Sequence, residues 1–263
     1  MEMVQVDGLS IAYERAGDGP PLLLLQGFVG DGLSTWRRQI EELSDEFTVV
    51  AWDVPGAGRS SDPPESFGMD DYVDCLARFV ESLGFERAHV LGLSFGGALA
   101  LALYRRHPDI PMTLILASAY AGWGGSLPRE AAEQRLQASL AAADCSPDEF
   151  VAALLPTMFS EGAPADCLEE FGAGMRAFHP AGFRALSRAA SANLRDVLPR
   201  IKVPTLLVYG DKDVRAPLTV AEDLHAAIPN SRLIVLRDTG HVCCAEAAEQ
   251  FNEVVRDFLR ESG

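Results

Sequence analysis

The sequence lacks the segments that export a protein or hold it in a membrane. No run approaches the ~18 consecutive apolar residues of a membrane span. The opening residues MEMVQVDGLS contain neither a basic region nor a long apolar core, so we expect no secretory signal. Together these absences predict a cytoplasmic protein that does not associate with membranes.

Cysteine and basic residues are also scarce. The five cysteines are scattered and lack C-x-x-C spacing, which argues against a disulfide framework or a zinc site. We interpret the adjacent Cys243 and Cys244 as small residues on a helix, with a redox role as the alternative. Because 22 Lys and Arg face 38 Asp and Glu, the net charge is -16. This charge argues against nucleic acid and disfavours a polyanionic substrate.

Apolar runs alternate with helical patterns along most of the 263 residues. MVQV and LSIAYER predict an opening hairpin. The later runs are apolar on both faces, as in buried parallel strands: PLLLLQG, FTVVAWD, AHVLGLS, MTLILAS, PTLLVYG and SRLIVLR. Segments with helical spacing lie between them. The pattern predicts an α/β fold with a mostly parallel central sheet and helices on both faces.

One region interrupts this alternation. Residues 120–196 contain no convincing strand, are rich in alanine and carry several prolines. We interpret them as a helical cap inserted into a core formed by residues 1–119 and 197–263. A cap over the carboxyl ends of parallel strands would act as a lid above a ligand site. The alternative is a helical domain with no role at the site.

The strongest chemical signal is VLGLSFGG at residues 90–97. Gly92-Leu93-Ser94-Phe95-Gly96 has the G-x-S-x-G form, preceded by a buried strand and followed by an alanine–leucine helix. Glycines flank the serine because so tight a turn leaves no room for side chains. This context predicts that Ser94 is a nucleophile exposed at the tip of a strained turn.

A serine nucleophile needs a base, and the base needs an orienting acid. His241 lies in a loop after the last apolar strand, so it can reach the site and is our predicted base. In the chain order Ser, Asp, His, the sequence GDKD offers Asp211 and Asp213. We assign Asp213, which lies farther into the loop, as the acid and Asp211 as a brace. ASAYAGWGG, after the preceding strand, contains no carboxylate to compete with it.

Acyl transfer also needs donors for the oxyanion. The backbone N–H of Phe95, directly after the serine, is one predicted donor, and that of Phe28, in the loop after PLLLL, is the other. We expect Gly27 to let the backbone approach closely. Gln26 offers both a donor and an acceptor, so we interpret it as a brace of this loop.

These residues resemble the α/β-hydrolase fold family from the first hairpin to the last helix. Besides the serine turn, the matching motifs are Gly210-Asp211-Lys212-Asp213, Gly240-His241 and the D-x-x-G-x-G-x-S turn DVPGAGRS. Within the family, the chain is similar to small esterases, enol-lactonases and non-haem haloperoxidase-like proteins with a helical cap. Gln26 departs from the histidine that the family usually has at its position. The resemblance assigns Ser94, Asp213 and His241 to the triad and Phe28 and Phe95 to the oxyanion hole.

The leading functional hypothesis is a serine hydrolase that cleaves a small, mainly apolar carboxylic ester or lactone. Trp123 and Phe178 of the cap are candidate pocket residues. No metal or organic cofactor is implied by this hypothesis, and the oligomeric state is left open. The alternatives are a C–C bond hydrolase of meta-cleavage type, although that group usually has asparagine at the position of Leu93, a perhydrolase or haloperoxidase-like activity, and a non-catalytic ligand-binding protein.

Overall fold

A single eight-stranded sheet organises the chain. The computed structural model describes residues 1–262, and its strands follow the order β1-β2-β4-β3-β5-β6-β7-β8. The strands are β1 Glu2–Val6, β2 Leu9–Ala16, β3 Pro21–Leu25, β4 Thr48–Trp52, β5 Ala88–Leu93, β6 Pro111–Ala117, β7 Thr205–Gly210 and β8 Ser231–Leu236. Only β1 with β2 and β2 with β4 pair antiparallel. The predicted hairpin and mostly parallel sheet are therefore confirmed.

Helices connect the strands and cover both faces of the sheet. They are α1 Gly32–Leu43, α2 Met69–Ser82, α3 Phe95–Arg106, α4 Trp123–Ser126, α5 Arg129–Ala142, α6 Pro147–Leu154, α7 Ala165–Arg176, α8 Pro180–Ala190, α9 Leu218–Ala227, α10 Cys243–Glu246 and α11 Ala248–Ser262. Two 3₁₀ turns, Leu155–Thr157 and Leu198–Arg200, complete the set. Among residues 1–262, no helix is both long enough and apolar enough to cross a membrane.

The central strands bear out the reading of apolar runs as buried strands. All residues of β4, β5 and β7 are buried, as are four of the five in β3. The expectation for SRLIVLR was wrong in one respect, because only one residue of β8 is fully buried and Ile234 and Val235 are exposed. The physical reason is position: β8 pairs with β7 alone and forms the edge of the sheet.

Between β6 and β7 the described chain is helical and contains no strand, with α4 to α8 in succession. Glycines set how closely this segment packs on the rest of the protein. A Cβ added to Gly182 of α8 would lie 2.1 Å from the carbonyl oxygen of Gly56. Gly56 itself has φ +88°. The backbone of α8 therefore rests directly on the turn that follows β4.

That turn is held by a buried carboxylate. Asp53 Oδ1 accepts the N–H of Gly32, at the start of α1, and Oδ2 accepts the N–H of Arg59, both at 2.8 Å. The Ser60 hydroxyl donates to the carbonyl oxygen of Asp53 at 2.6 Å. Burial raises the pKa of Asp53 although the two N–H donors oppose the shift. The D-x-x-G-x-G-x-S motif thus fixes the loops around β3 and β4.

Candidate active site

Ser94 lies where β5 ends and α3 begins. Its backbone has φ 51° and ψ -108°, a combination that L-residues rarely adopt. A Cβ on Gly92 would lie 2.2 Å from the carbonyl oxygen of Gly96, and one on Gly96 would lie 2.0 Å from that of Leu25. Both glycines are therefore required, because the turn folds back on itself and presses against the end of β3.

His241 and Asp213 form a buried hydrogen-bonded pair. The Nδ1 of His241 lies 2.8 Å from Oδ2 of Asp213, and the two residues are 3% and 5% exposed. The other carboxylate oxygen, Oδ1, accepts the N–H groups of Arg215 and Ala216, each at 2.8 Å. Both carboxylate oxygens are thus engaged, and the orientation of the carboxylate toward the imidazole is fixed.

The electrostatics of the pair favour an ionised acid. Burial alone raises the pKa of Asp213, but the charge and hydrogen bond of His241 and the N–H of Ala216 outweigh it, so the pKa is lowered overall. Asp211 is in a different environment: it is exposed, its Oδ1 accepts the N–H of Thr239 at 3.4 Å, and its Oδ2 lies 3.6 Å from Lys212 Nζ. Of the two candidate acids, the structure joins Asp213 to the histidine.

The strand order brings the serine and the acid to the same edge of the sheet. The N–H of Ser94 donates to the carbonyl oxygen of Ala117 at 2.8 Å, and that of Ser118 donates to Val208 at 2.9 Å, so the ends of β5, β6 and β7 lie side by side. Within residues 1–262, Ser94 Oγ makes no hydrogen bond, to His241 or to any other group. Contacts between nucleophile and base commonly tighten only when substrate binds.

Two unused backbone donors lie beside the serine. The N–H groups of Phe28 and Phe95 donate no hydrogen bond within the part of the chain that the structure describes, although both residues are buried. Buried N–H groups without an acceptor are rare in proteins. An oxygen atom that gains negative charge is the kind of acceptor that would satisfy them.

Gln26 stabilises the loop that carries Phe28. Its side chain is 1% exposed, and Nε2 donates to the carbonyl oxygen of Gly30 at 2.9 Å, whereas Oε1 accepts no hydrogen bond from residues 1–262. Gly27 is not sterically required: a Cβ there would be in ordinary contact, 3.8 Å from the Leu93 carbonyl oxygen and 3.9 Å from Ser94 Cβ. Another small residue could therefore replace Gly27 without moving the loop away from the serine.

A narrow cavity opens in front of Ser94. It is lined by Phe28, Ser94, Phe95, Ala98, Tyr120, Gly122, Trp123 and Ala190. Its volume of about 10 Å³ is about what one water molecule requires. Trp123 meets the Phe28 ring edge-on at 5.6 Å. Phe178 is not among the lining residues; it stacks on Phe150 at 4.0 Å, with Phe183 between it and Phe28.

Sequence reasoning missed three residues next to this cavity: Tyr120, Arg135 and Arg215. The Tyr120 hydroxyl donates to the backbone carbonyl of Arg215 and accepts from Arg135 Nη1 at 2.7 Å. Arg215 also places its guanidinium carbon 5.8 Å from the centre of the Phe28 ring. An arginine two residues after the predicted acid was the only signal available, because packing of the inserted helices brings Arg135 into place.

In the part of the chain that the structure describes, the side chains of the other histidines and the adjacent cysteines make no hydrogen bond with the three residues of the predicted triad that would give them a role in it. His89 is buried against Thr113, and burial together with the charge of Arg87 lowers its pKa to about 4. His179 pairs with Asp62 at 2.7 Å. Burial raises the pKa of Cys243 to about 12. No group of three or more potential metal ligands occurs among residues 1–262.

The comparisons with known proteins identify the family of the chain. Residues 20–141 match the alpha/beta hydrolase fold family, and residues 185–263 match the family described as TAP-like protein. The chain is 30% identical to the putative carbamate hydrolase RutD of Azorhizobium caulinodans over 95% of this chain and 94% of that protein. It is 29% identical to the human serine hydrolase BPHL over 98% and 85%, respectively.

Among solved structures, a thermophilic esterase from Thermogutta terrifontis with malate bound superposes with a TM-score of 0.92. It is 28% identical, and the match covers 100% of this chain and 99% of that one. The chain therefore belongs to the α/β-hydrolase superfamily and has the α/β-hydrolase fold. The family and the similar proteins support hydrolase activity.

Proposed function

We propose that the protein is a serine hydrolase that cleaves small, mainly apolar carboxylic esters or lactones through an acyl-enzyme on Ser94. The observation that carries this proposal is the buried His241–Asp213 hydrogen bond at the sheet edge where the strained Ser94 turn is located. A ligand-binding protein has no need for such a pair. The esterase and serine hydrolase among the similar proteins support the same chemistry.

The reaction follows from the roles that these groups can perform. Ser94 Oγ attacks the carbonyl carbon while Nε2 of His241 takes its proton, and Asp213 stabilises the imidazolium that forms. The tetrahedral oxyanion is held by the N–H groups of Phe28 and Phe95. His241 then gives its proton to the leaving alkoxide. Water, deprotonated by the same imidazole, attacks the acyl-enzyme. The imidazolium then returns this proton to Ser94 Oγ as the acid is released.

Residues 120–196 act in this proposal as a lid. Trp123 lies at the start of the helical segment and closes one side of the cavity, whose present volume admits no ester. Substrate entry therefore requires the segment to move away from Phe28. Ala98 and the aromatic rings of the wall favour an apolar acyl or alcohol group next to the serine.

The test is an ester hydrolysis assay that compares wild-type protein with Ser94→Ala. We expect wild type to hydrolyse nitrophenyl acetate and butyrate, and Ser94→Ala to lose at least about 10³-fold in kcat. Lack of turnover of every short ester and lactone by the wild type would contradict the proposal. Cleavage of a vinylogous diketone with negligible ester turnover would instead favour C–C hydrolysis, and peroxide-dependent halogenation would favour the perhydrolase alternative.

A further inference from the structure

Two arginines pack against aromatic rings that line the cavity in front of Ser94. The guanidinium carbon of Arg215 lies 5.8 Å from the ring centre of Phe28. That of Arg135, on α5, lies 5.9 Å from the Trp123 ring and 5.4 Å from the Tyr120 ring. Phe28, Tyr120 and Trp123 all line the cavity. The two cations are therefore separated from the cavity by no more than one aromatic ring, and a movement of these rings on substrate entry would bring them to its edge.

Among residues 1–262, neither arginine forms an ion pair with an acidic side chain. In residues 1–262, the other arginines either pair with a carboxylate within 4.0 Å or lie exposed at the surface. Within the described residues, Arg135 and Arg215 alone combine partial burial with the lack of a carboxylate partner. In a chain of net charge -16, acidic side chains are abundant enough to pair with every arginine. A partly buried arginine without such a partner is therefore unusual and calls for an explanation.

Most of the N–H donors of the two guanidinium groups are unused. Nη1 of Arg215 donates to Thr157 Oγ1 at 2.9 Å. Arg135 donates through Nη1 to the Tyr120 hydroxyl at 2.7 Å and through Nη2 to the carbonyl oxygen of Arg215 at 3.2 Å. Each guanidinium has five N–H groups. Several donors therefore have no acceptor in the described chain.

The two arginines are held close together although their positive charges repel each other. Tyr120 bridges the backbone of Arg215 and the side chain of Arg135, so it fixes the two cations relative to each other. Burial and the charge of Arg135 lower the pKa of Arg215 to about 10. Arg215 thus remains a cation at neutral pH, but in a position that disfavours its charge. The charge of Asp213 opposes this shift but does not outweigh it.

We propose that Arg135 and Arg215 bind a carboxylate carried by the substrate at the end remote from the bond that is cleaved. This inference rests on the proposed function and narrows its substrate class to half-esters of short dicarboxylic acids and lactones that bear a carboxylate. A planar carboxylate matches the guanidinium fork. A phosphate, with nearly two negative charges, is disfavoured by the acidity of the chain as a whole.

The experiment uses two esters of equal length, mono-nitrophenyl glutarate and nitrophenyl valerate, which differ by one terminal carboxylate. We expect wild type to have a kcat/KM at least about tenfold higher for the glutarate, as for one charge-assisted pair. In Arg135→Met and Arg215→Met, the ratio of the two kcat/KM values should fall about tenfold or more, mainly through the KM of the glutarate. Arg135→Lys should retain part of the preference.

Arg129→Met is the matched control. Arg129 is the first residue of the same helix, is exposed, and has no carboxylate within 4.0 Å among residues 1–262, so the variant removes the same charge outside the cavity. We expect its ratio to equal that of wild type. Binding of free glutarate, measured by calorimetry, should weaken at least about tenfold in Arg135→Met, in line with one lost charge-assisted contact.

The outcomes separate this inference from the proposed function. Turnover of both esters by wild type with no preference for the glutarate would overturn the carboxylate site and leave the hydrolase proposal standing. Equal losses on both esters in the arginine variants would show that the arginines only hold the inserted helices on the core, and would also overturn it. If wild type turned over neither ester, the hydrolase proposal would fail, and glutarate binding would decide the carboxylate site independently.

Discussion

The replacement of Asp213 by asparagine tests whether the histidine works as a base. The two backbone N–H groups of Arg215 and Ala216 both point at Oδ1 of Asp213, so in Asp213→Asn the amide oxygen must take that position. The amide NH₂ group then faces Nδ1 of His241. Because an NH₂ group only donates, Nδ1 must become an acceptor, and the ring proton moves to Nε2.

An imidazole protonated at Nε2 cannot take the proton of Ser94. We therefore expect kcat for nitrophenyl butyrate near neutral pH to fall about 10⁴-fold in Asp213→Asn, as for the loss of the correct tautomer in a serine triad. Asp211→Asn is the matched control, since this exposed neighbour lacks contact with the histidine, and its kcat should stay close to that of wild type.

The stability of the variant distinguishes this effect from misfolding. The asparagine keeps the volume and both N–H contacts, so the melting temperature should change by only a few degrees, which corresponds to about 1 kcal/mol for a chain of this size. A properly folded Asp213→Asn protein that retained more than about a tenth of wild-type kcat would refute the tautomer reasoning.

Three further changes follow from particular contacts. Gln26→Ala removes the hydrogen bond to Gly30 and should lower kcat about tenfold to a hundredfold, approaching loss of one oxyanion donor, whereas Gln26→His should stay within about tenfold; unchanged kcat in the alanine variant would show that no brace is needed. Ser94→Gly should melt about 2–4 °C above Ser94→Ala, because glycine tolerates the positive φ; equal melting temperatures would argue against strain at this turn. Since burial raises the pKa of Cys243 to about 12 and that of Cys244 well above its ordinary value, both thiols should resist Ellman's reagent near neutral pH until the protein unfolds, and rapid labelling of either in the folded protein would contradict this.

The sheet could be predicted because its signal is local. An apolar run such as PLLLL has few alternatives to a buried strand. Gly92 and Gly96 on either side of Ser94 indicate a turn too tight for side chains, which is a rare requirement. The exposure of the edge strand β8 was harder to predict, since its run LIVL is as apolar as that of a buried strand. The sheet order shows that one side of β8 is open. The composition of a strand does not indicate which strands pair with it.

The surroundings of the cavity depend on contacts between distant segments. Phe178 and Phe183 are both aromatic residues of the helical segment between β6 and β7, but Phe183 stacks on Phe28 and Phe178 does not. Their roles depend on how α8 sits on the core, which is fixed by the close approach of Gly182 to Gly56. A single sequence contains no direct signal for that packing. The arginine pair was missed for the same reason.

Covalent labelling of Ser94 is the most direct test of the proposed chemistry. A fluorophosphonate places a reactive phosphorus where the ester carbonyl carbon would be, and its phosphoryl oxygen where the oxyanion would form. We expect one label per chain, located by peptide mass spectrometry on Ser94, with none on Ser94→Ala and much slower labelling of Asp213→Asn. Labelling of a different residue, or ester turnover that persists in Ser94→Ala, would contradict a mechanism through an acyl-enzyme on this serine.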